Sequence, residues 1–286
     1  MRMEKSKADT PSIQDKSKTN GGNMARNSLK GICKLIDQAN EKLSPEQSFL
    51  NDLKKCIEMS ADKEKRKPSQ TYKPSSMKCI RNMYYQRTGA EPDEELSSYC
   101  SVGICNSGSD IHVRIQTAVM QMKEFGIDCE YIDVADFVKS RGLDDLEVVS
   151  KSGPETKLFH KTLNMSFMCD GIIRYKGHYY ILEIKTEASF KWANRTATDP
   201  GHHNQGTAYS VAFKLNEVMF LYINRDILDM KTYRFVPTAE QKEELVGTIE
   251  ECEGYVGRLI CPPKPADLPR NVCNYCSYKT KCRKDG

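Results

Sequence analysis

The sequence predicts an α/β protein. Three observations carry that expectation: a tight two-strand hairpin turning at Lys176-Gly177, an amphipathic helix ahead of it over residues 109–125, and a helix–strand–strand–helix succession behind it. Residues 1–27 are rich in Lys, Ser, Asn and Gly with almost no apolar pattern, and are expected to be disordered. Helices are expected over 27–40 and 44–65; Ser44-Pro45-Glu46-Gln47 opens the second with an N-cap and a first-turn proline. The charged run 63–68 ends it. From Ser75 the segment SSMKCIRNMYYQRTG spaces Met77, Ile80, Met83 and Tyr84 as a helix and stops at Gly89. Residues 91–107 read as a loop. In 109–125, Ile111, Ile115, Val119 and Met122 form one stripe, with Gly126 as the stop.

Strands are expected at 129–134, 147–150 and 156–159, followed by the hairpin strands 166–175 and 178–185. Then come a polar loop over 188–200, a helix over 202–214, the alternating strand VMFLYINRD, a strand at 231–236, and a helix over 238–259 capped by Thr238. The last 25 residues are rich in Pro, Cys and Lys and carry no period. No internal repeat is visible.

The chain's 286 residues are ample for a buried core, and a 29% charged content describes a polar globular protein. No apolar run is long enough for a membrane-spanning helix, and the basic, polar N-terminus lacks the apolar segment of a secretory signal. The expected compartment is therefore the cytoplasm. In a reducing compartment the 12 cysteines favour metal ligation over disulfides. Net charge is a mild +4, but residues 1–78 hold 17 Lys and Arg against 10 Asp and Glu, so the remainder is slightly acidic. From Lys264 onward six cations face only Asp267 and Asp285. Basic ends around an acidic centre fit phosphate-binding arms beside a carboxylate metal site. Solvated tails kept soluble by lysine are an equal reading for residues 1–30.

The hairpin CDGIIRYKGHYYILEIK raises the sharpest question. A two-residue loop pairs Tyr175 with His178, so paired residue numbers sum to 353 and Asp170 falls opposite Glu183. Lys185 shares the face of Glu183, while Leu182 and Ile184 point the other way. Two adjacent carboxylates repel and are costly to bury unless positive charge lies between them. A divalent cation and an ammonium group would supply it. His112 borders the buried stripe of the amphipathic helix. Gln205 and Tyr209, four apart, share one helical face, and His202 and His203 open that helix, where a phosphate could be met. Near the C-terminus CNYCSYKTKC spaces Cys273, Cys276 and Cys282 as C-x2-C-x5-C. Three thiolates need a fourth ligand; Cys79 is preferred, with Cys261, Cys100 and Cys105 as rivals. Four thiolates suit either an iron–sulfur cluster or structural zinc.

In order, Asp170, Glu183-Ile184-Lys185, Gln205-Tyr209 and the cysteines resemble the PD-(D/E)XK nuclease superfamily, in its RecB-like iron–sulfur exonuclease branch. The chain is similar there to the CRISPR-associated and AddB-type cluster-containing exonucleases. The resemblance spans roughly 75–286; Cys169 stands where the motif name has proline. It implies a restriction-endonuclease-like core, a mixed central sheet flanked by helices, with a C-terminal cysteine-cluster clamp. It further implies that Asp170, Glu183 and His112 bind Mg²⁺ or Mn²⁺, that Lys185 acts on the attacking water, and that Gln205 and Tyr209 orient the lysine or DNA. Cys79, Cys273, Cys276 and Cys282 would hold a [4Fe–4S] cluster, and Glu155 occupies the place of a supporting acid. The implied organisation is a basic arm over 1–74, a core over 75–262 and a cysteine segment over 263–286. The implied activity is metal-dependent exonucleolysis of single strands or DNA ends, in recombination, repair or phage replication. A bacterial host's cytoplasm would be the location of a phage enzyme, and a second copy or a recombination protein is an expected partner. No phosphate loop of an ATP motor is present. The competing reading is an iron–sulfur or zinc-stabilised DNA-binding or recruitment protein whose nuclease-like fold is non-catalytic.

Overall fold

The structure is a computed structural model and describes residues 44–63, 68, 70–93 and 98–285. The segments expected to be disordered (1–27) and helical (27–40) lie outside them. The chain divides into two compact units, Met1–Lys54 and Lys55–Gly286, the division falling within helix α1, Pro45–Lys63. Ser44 caps α1: its hydroxyl accepts from the Gln47 amide, and the Gln47 side chain accepts from the Ser44 amide.

The second unit is α/β with a mixed central sheet flanked by helices, as expected. Five strands are ordered β1-β5-β6-β7-β8: β1 Cys129–Ile132, β5 Gly171–Tyr175, β6 His178–Glu187, β7 Val218–Asn224 and β8 Met230–Phe235. All neighbours are antiparallel except β6 and β7, which run parallel through the crossover helix α6, His203–Phe213. A separate antiparallel sheet holds β2 Leu146–Ser152, β3 Glu155–His160 and β4 Met165–Cys169. Alternation along β6 builds a core on each face. Leu182 and Ile184 pack with Ile111 beneath helix α3, Tyr99–Gln121, where Ile115, Val119 and Met122 complete the stripe. On the opposite face Ile181 packs with Ala208, Tyr209 and Phe213 of α6 and with Leu245 and Ile249 of α7, Ala239–Arg258. Burying each large apolar side chain stabilises by about 1.5–3 kcal/mol, so α3 and α6 hold the sheet between them. Glu183 and Lys185 lie on the α6 face, among otherwise apolar neighbours.

The hairpin turn forms as expected, with φ of 48° at Lys176 and 81° at Gly177, a pair of left-handed residues that matches the strand twist. The register also holds: Tyr175 pairs with His178 and Gly171 with Leu182. It stops there, however. The strand expected over 166–175 is two strands, because the chain leaves one sheet after Cys169 and enters the other at Gly171. Asp170 is the hinge residue, outside both ladders, rather than the backbone partner of Glu183. Gly171 permits the crossing: a Cβ there would stand 2.6 Å from the Tyr131 ring.

Other boundaries differ for local reasons. The loop expected over 91–107 gives way at Tyr99 to α3, whose first turn is capped by the Ser98 hydroxyl on the Ser101 amide. The small, mostly exposed residues before Ile111 carry no apolar period and are held by the anchored half of the helix. α3 ends at Gln121, and a turn reaches Gly126 at φ 75°. The strand at 129–134 stops at Ile132 because Asp133 caps a short helix, α4, Val134–Ser140. Residues 75–89 form a 3-10 turn, Pro74–Ser76, and then α2, Ile80–Arg87. The polar loop contains α5, Ser189–Ala193. The aperiodic tail contains α8, Arg270–Asn274, and α9, Lys279–Lys284, and folds back on α2. Tyr85 donates to the Asp285 carboxylate at 2.7 Å, the Asp93 amide to Ser277 O at 2.7 Å, and the Thr280 amide to Asp93 at 2.6 Å.

Candidate active site

The break between β4 and β5 leaves Asp170 free of ladder bonding, and three elements fix it. Its Oδ2 accepts from the Ile184 amide at 2.7 Å, across the gap in the register. Its Oδ1 lies 3.0 Å from His112 Nδ1, supplied by α3. Its carbonyl accepts from Gln116 Nε2 at 2.7 Å and from the Tyr131 hydroxyl at 3.4 Å. Burial pulls the His112 imidazole down, but the Asp170 hydrogen bond and the Asp170 and Glu183 charges together hold it above its ordinary value. Gln116 was not singled out from sequence. The available signal was its position four residues after His112, hence on the same helical face. It is fully buried, and its Oε1 has no partner.

Glu183 is almost wholly enclosed, its side chain 4% exposed against 21% for Lys185. Its Oε1 accepts from Lys185 Nζ and from Gln205 Nε2, each at 2.7 Å; its Oε2 is buried with no partner. Burial and the adjacent Asp170 carboxylate push Glu183 up, to about 7, against the pull of Lys185 and His112. Gln205 spends its whole amide here: Oε1 accepts from Lys185 at 2.8 Å, and Nε2 also donates to the Tyr209 hydroxyl at 2.9 Å. Tyr209 then donates to Met168 O at 2.8 Å, near the end of β4 and two residues before Asp170. The chain Met168–Tyr209–Gln205–Lys185 therefore ties α6 to both halves of the carboxylate pair. Tyr209 is buried and acts on Gln205, not on anything outside. The structure thus brings Asp170, Glu183, Lys185, His112, Gln205 and Tyr209 together.

Glu155 begins β3, and its charge adds to the rise of the Tyr131 hydroxyl. His203 is turned away, stacked on Phe235 at 4.4 Å and bonded to Thr198 at 2.9 Å. His202 faces the site. The Tyr222 hydroxyl accepts from the Asp199 amide at 2.9 Å and lies 3.1 Å from His202 Nδ1. Burial, with Lys185 nearby, pushes His202 down to about 3. A histidine depressed in the folded state takes up its proton first when unfolded, so stability is complete above pH 6.5 and falls as pH drops toward 3. At pH 5 the cost is about 1–2 kcal/mol. Urea unfolding of wild type and His202→Asn at pH 7 and 5 checks this: the variant should lose measurably less stability on acidification.

The donor set at Asp170, Glu183 and His112 suits a hard divalent cation, since it offers carboxylate oxygens, one of them buried without a partner. Among the described residues no three His, Cys, Asp or Glu side chains stand as a ready-made ligand group. Asp170 and Glu183 instead hold His112 and Lys185.

A second assembly lies where the tail meets α2. Cys79, Cys273, Cys276 and Cys282 all line one cavity of about 560 Å³. Of the candidate fourth ligands only Cys79 lines it. Cys100 and Cys105 are exposed on α3, and Cys261 is bonded to Arg81 Nε at 3.3 Å. Burial pushes the Cys79 thiol up, with Cys276 and Cys273 adding to it; Cys282 rises likewise through burial, eased by Arg81. Among the described residues every cysteine is free. The four thiols share one cavity, though among the described residues they do not stand as a ready-made ligand group there.

No helix among the described residues is long and apolar enough to cross a membrane. No protein-family model and no curated protein match the chain. Several solved structures are similar to it, two of them as follows. SSO0001 is 15% identical with a TM-score of 0.44, covering 85% of this chain and 98% of its own. LHK-Exo in complex with dAMP is 14% identical with a TM-score of 0.36, covering 66% and 91%. Both are likenesses of backbone path.

Proposed function

We propose that the chain is a metal-dependent deoxyribonuclease, acting exonucleolytically on single strands or DNA ends. The observation that carries this reading is the enclosed Glu183 carboxylate, one oxygen unpaired, set beside Asp170 with Lys185 on its other oxygen. So costly an arrangement has no evident structural return. Asp170, Glu183 and His112 would hold Mg²⁺ or Mn²⁺, which when bound polarises the scissile phosphate and lowers the pKa of a water. Lys185 donates two of its N–H groups to Glu183 and Gln205, leaving the third for the attacking water or a phosphate oxygen. Gln205, locked by Tyr209, keeps the ammonium in place. His112 and Gln116 keep Asp170 turned toward Glu183.

Cys79, Cys273, Cys276 and Cys282 would hold a [4Fe–4S] cluster that fastens the tail to α2, giving a core over 75–262 and a clamp over 263–286. A role at DNA ends in recombination, repair or phage replication would suit this chemistry, with a second copy or a recombination protein as partner. The basic arm over 1–74 would grip the DNA backbone. The test is degradation of end-labelled single- and double-stranded DNA with Mg²⁺, Mn²⁺ or EDTA. Wild type should cleave only with metal, and Lys185→Ala should be slower by about 10²–10³. Equal background in both would sink the enzyme reading and favour the DNA-binding one.

A further inference from the structure

Phe190 is 77% exposed and stands five residues beyond Lys185. Its backbone is not loose. The Ser189 amide and hydroxyl both bond the Asp226 carboxylate, at 2.9 and 2.6 Å, and the hydroxyl also reaches Asn224 at 3.1 Å. The Lys191 and Trp192 amides bond Ala188 O at 3.0 Å. Beneath, Arg195 is 9% exposed and grips Glu187 with two bonds of 2.6 Å, fixing the end of β6. Phe190 is therefore presented to solvent by a rigid frame.

It walls two adjoining hollows. One, of about 260 Å³, is shared with Lys185, Thr186, Lys191, His202 and Arg225; the other, of about 390 Å³, runs along 194–198. The first hollow's wall also contains Glu187, but that carboxylate is committed to Arg195 and to Lys191 at 3.2 Å. Arg225 by contrast has only a loose partner, Asp226 at 3.9 Å. An exposed ring, a loosely held guanidinium and the candidate catalytic ammonium thus border one hollow lined by more cationic than anionic side chains. That combination matches an unpaired nucleotide, whose base stacks on an aromatic face while its phosphate meets a cation.

We propose that Phe190 and Arg225 form a strand-gripping subsite, Phe190 stacking on an unpaired base beside the scissile phosphate and Arg225 holding the adjoining phosphate. This rests on the nuclease reading and adds a preference for single-stranded over paired bases.

The test is fluorescence anisotropy of the full chain in EDTA with a labelled oligothymidylate and an abasic strand of equal length. Phe190→Ala should bind oligothymidylate about tenfold more weakly and the abasic strand as wild type does, while Phe190→Trp should restore oligothymidylate binding. Arg225→Gln should weaken both strands alike and flatten the salt dependence by about one phosphate contact. Equal affinities for Phe190→Ala and wild type on both strands, with wild-type cleavage intact, overturn the subsite and leave Phe190 to a protein partner. A wild type that neither binds nor cuts DNA overturns the nuclease reading itself.

Discussion

Asp170→Asn should fold and yet lose about 10³ in kcat/KM for metal-dependent DNA cleavage, about 4 kcal/mol of transition-state stabilisation. The asparagine carbonyl can still accept from the Ile184 amide, so the crossing between sheets survives at a cost of about 1 kcal/mol. Its amide must then face His112 Nδ1, where a carboxylate oxygen stood at 3.0 Å. Two consequences separate this from simple damage. The His112 imidazole should lose the support that holds it above its ordinary value, and its titration by NMR should move down. The thermal midpoint should change little. A variant with more than a tenth of wild-type activity would remove Asp170 from the machinery.

On the proposed cluster reading, Cys79→Ser should lower the thermal midpoint by on the order of 10 °C and strip most of the iron and acid-labile sulfide. The size follows from topology: a link between Cys79 and Cys273 closes nearly two hundred residues, and restraint of so long a loop is worth about 4–5 kcal/mol. Tyr85, Arg81 and Asp93 would still tie the tail to α2, so the fold should loosen without being lost. Cys261→Ser and Cys100→Ser are the controls, since neither lines the cavity. Iron retained by Cys79→Ser but lost from Cys261→Ser would reassign the fourth ligand, and zinc in place of iron would replace the cluster with a structural ion.

Much of this was legible along the chain. Lys176-Gly177 sets the hairpin turn and with it the register through Gly171 and Leu182. The period-two alternation puts Glu183 and Lys185 on one face, and the four-residue spacing puts Gln205 and Tyr209 on one side of α6. These are local rules, decided by neighbours a few residues away. The fate of Asp170 was not local. Asp170-Gly171 is a breaker signal within MSFMCDGIIRY, but both halves are apolar and extended, so competition among distant partners decides whether the strand splits there or runs on. The start of α3 was hidden for a related reason: residues 99–110 have no apolar stripe of their own, and the helix exists there because Ile111 onward is anchored.

By itself, then, the sequence determined the α/β class, the hairpin, the pairing of carboxylate and lysine on one strand face, and the cysteine spacing of the tail. All are properties of short segments with strong periods. The tertiary structure alone decided that His112 and Gln116 reach Asp170, that Gln205 bonds both Glu183 and Lys185, and that Cys79 lines one cavity with the tail cysteines. These contacts join residues twenty to two hundred positions apart. Side-chain periodicity specifies which face a residue takes but not what packs against it, so only the folded core could choose among them.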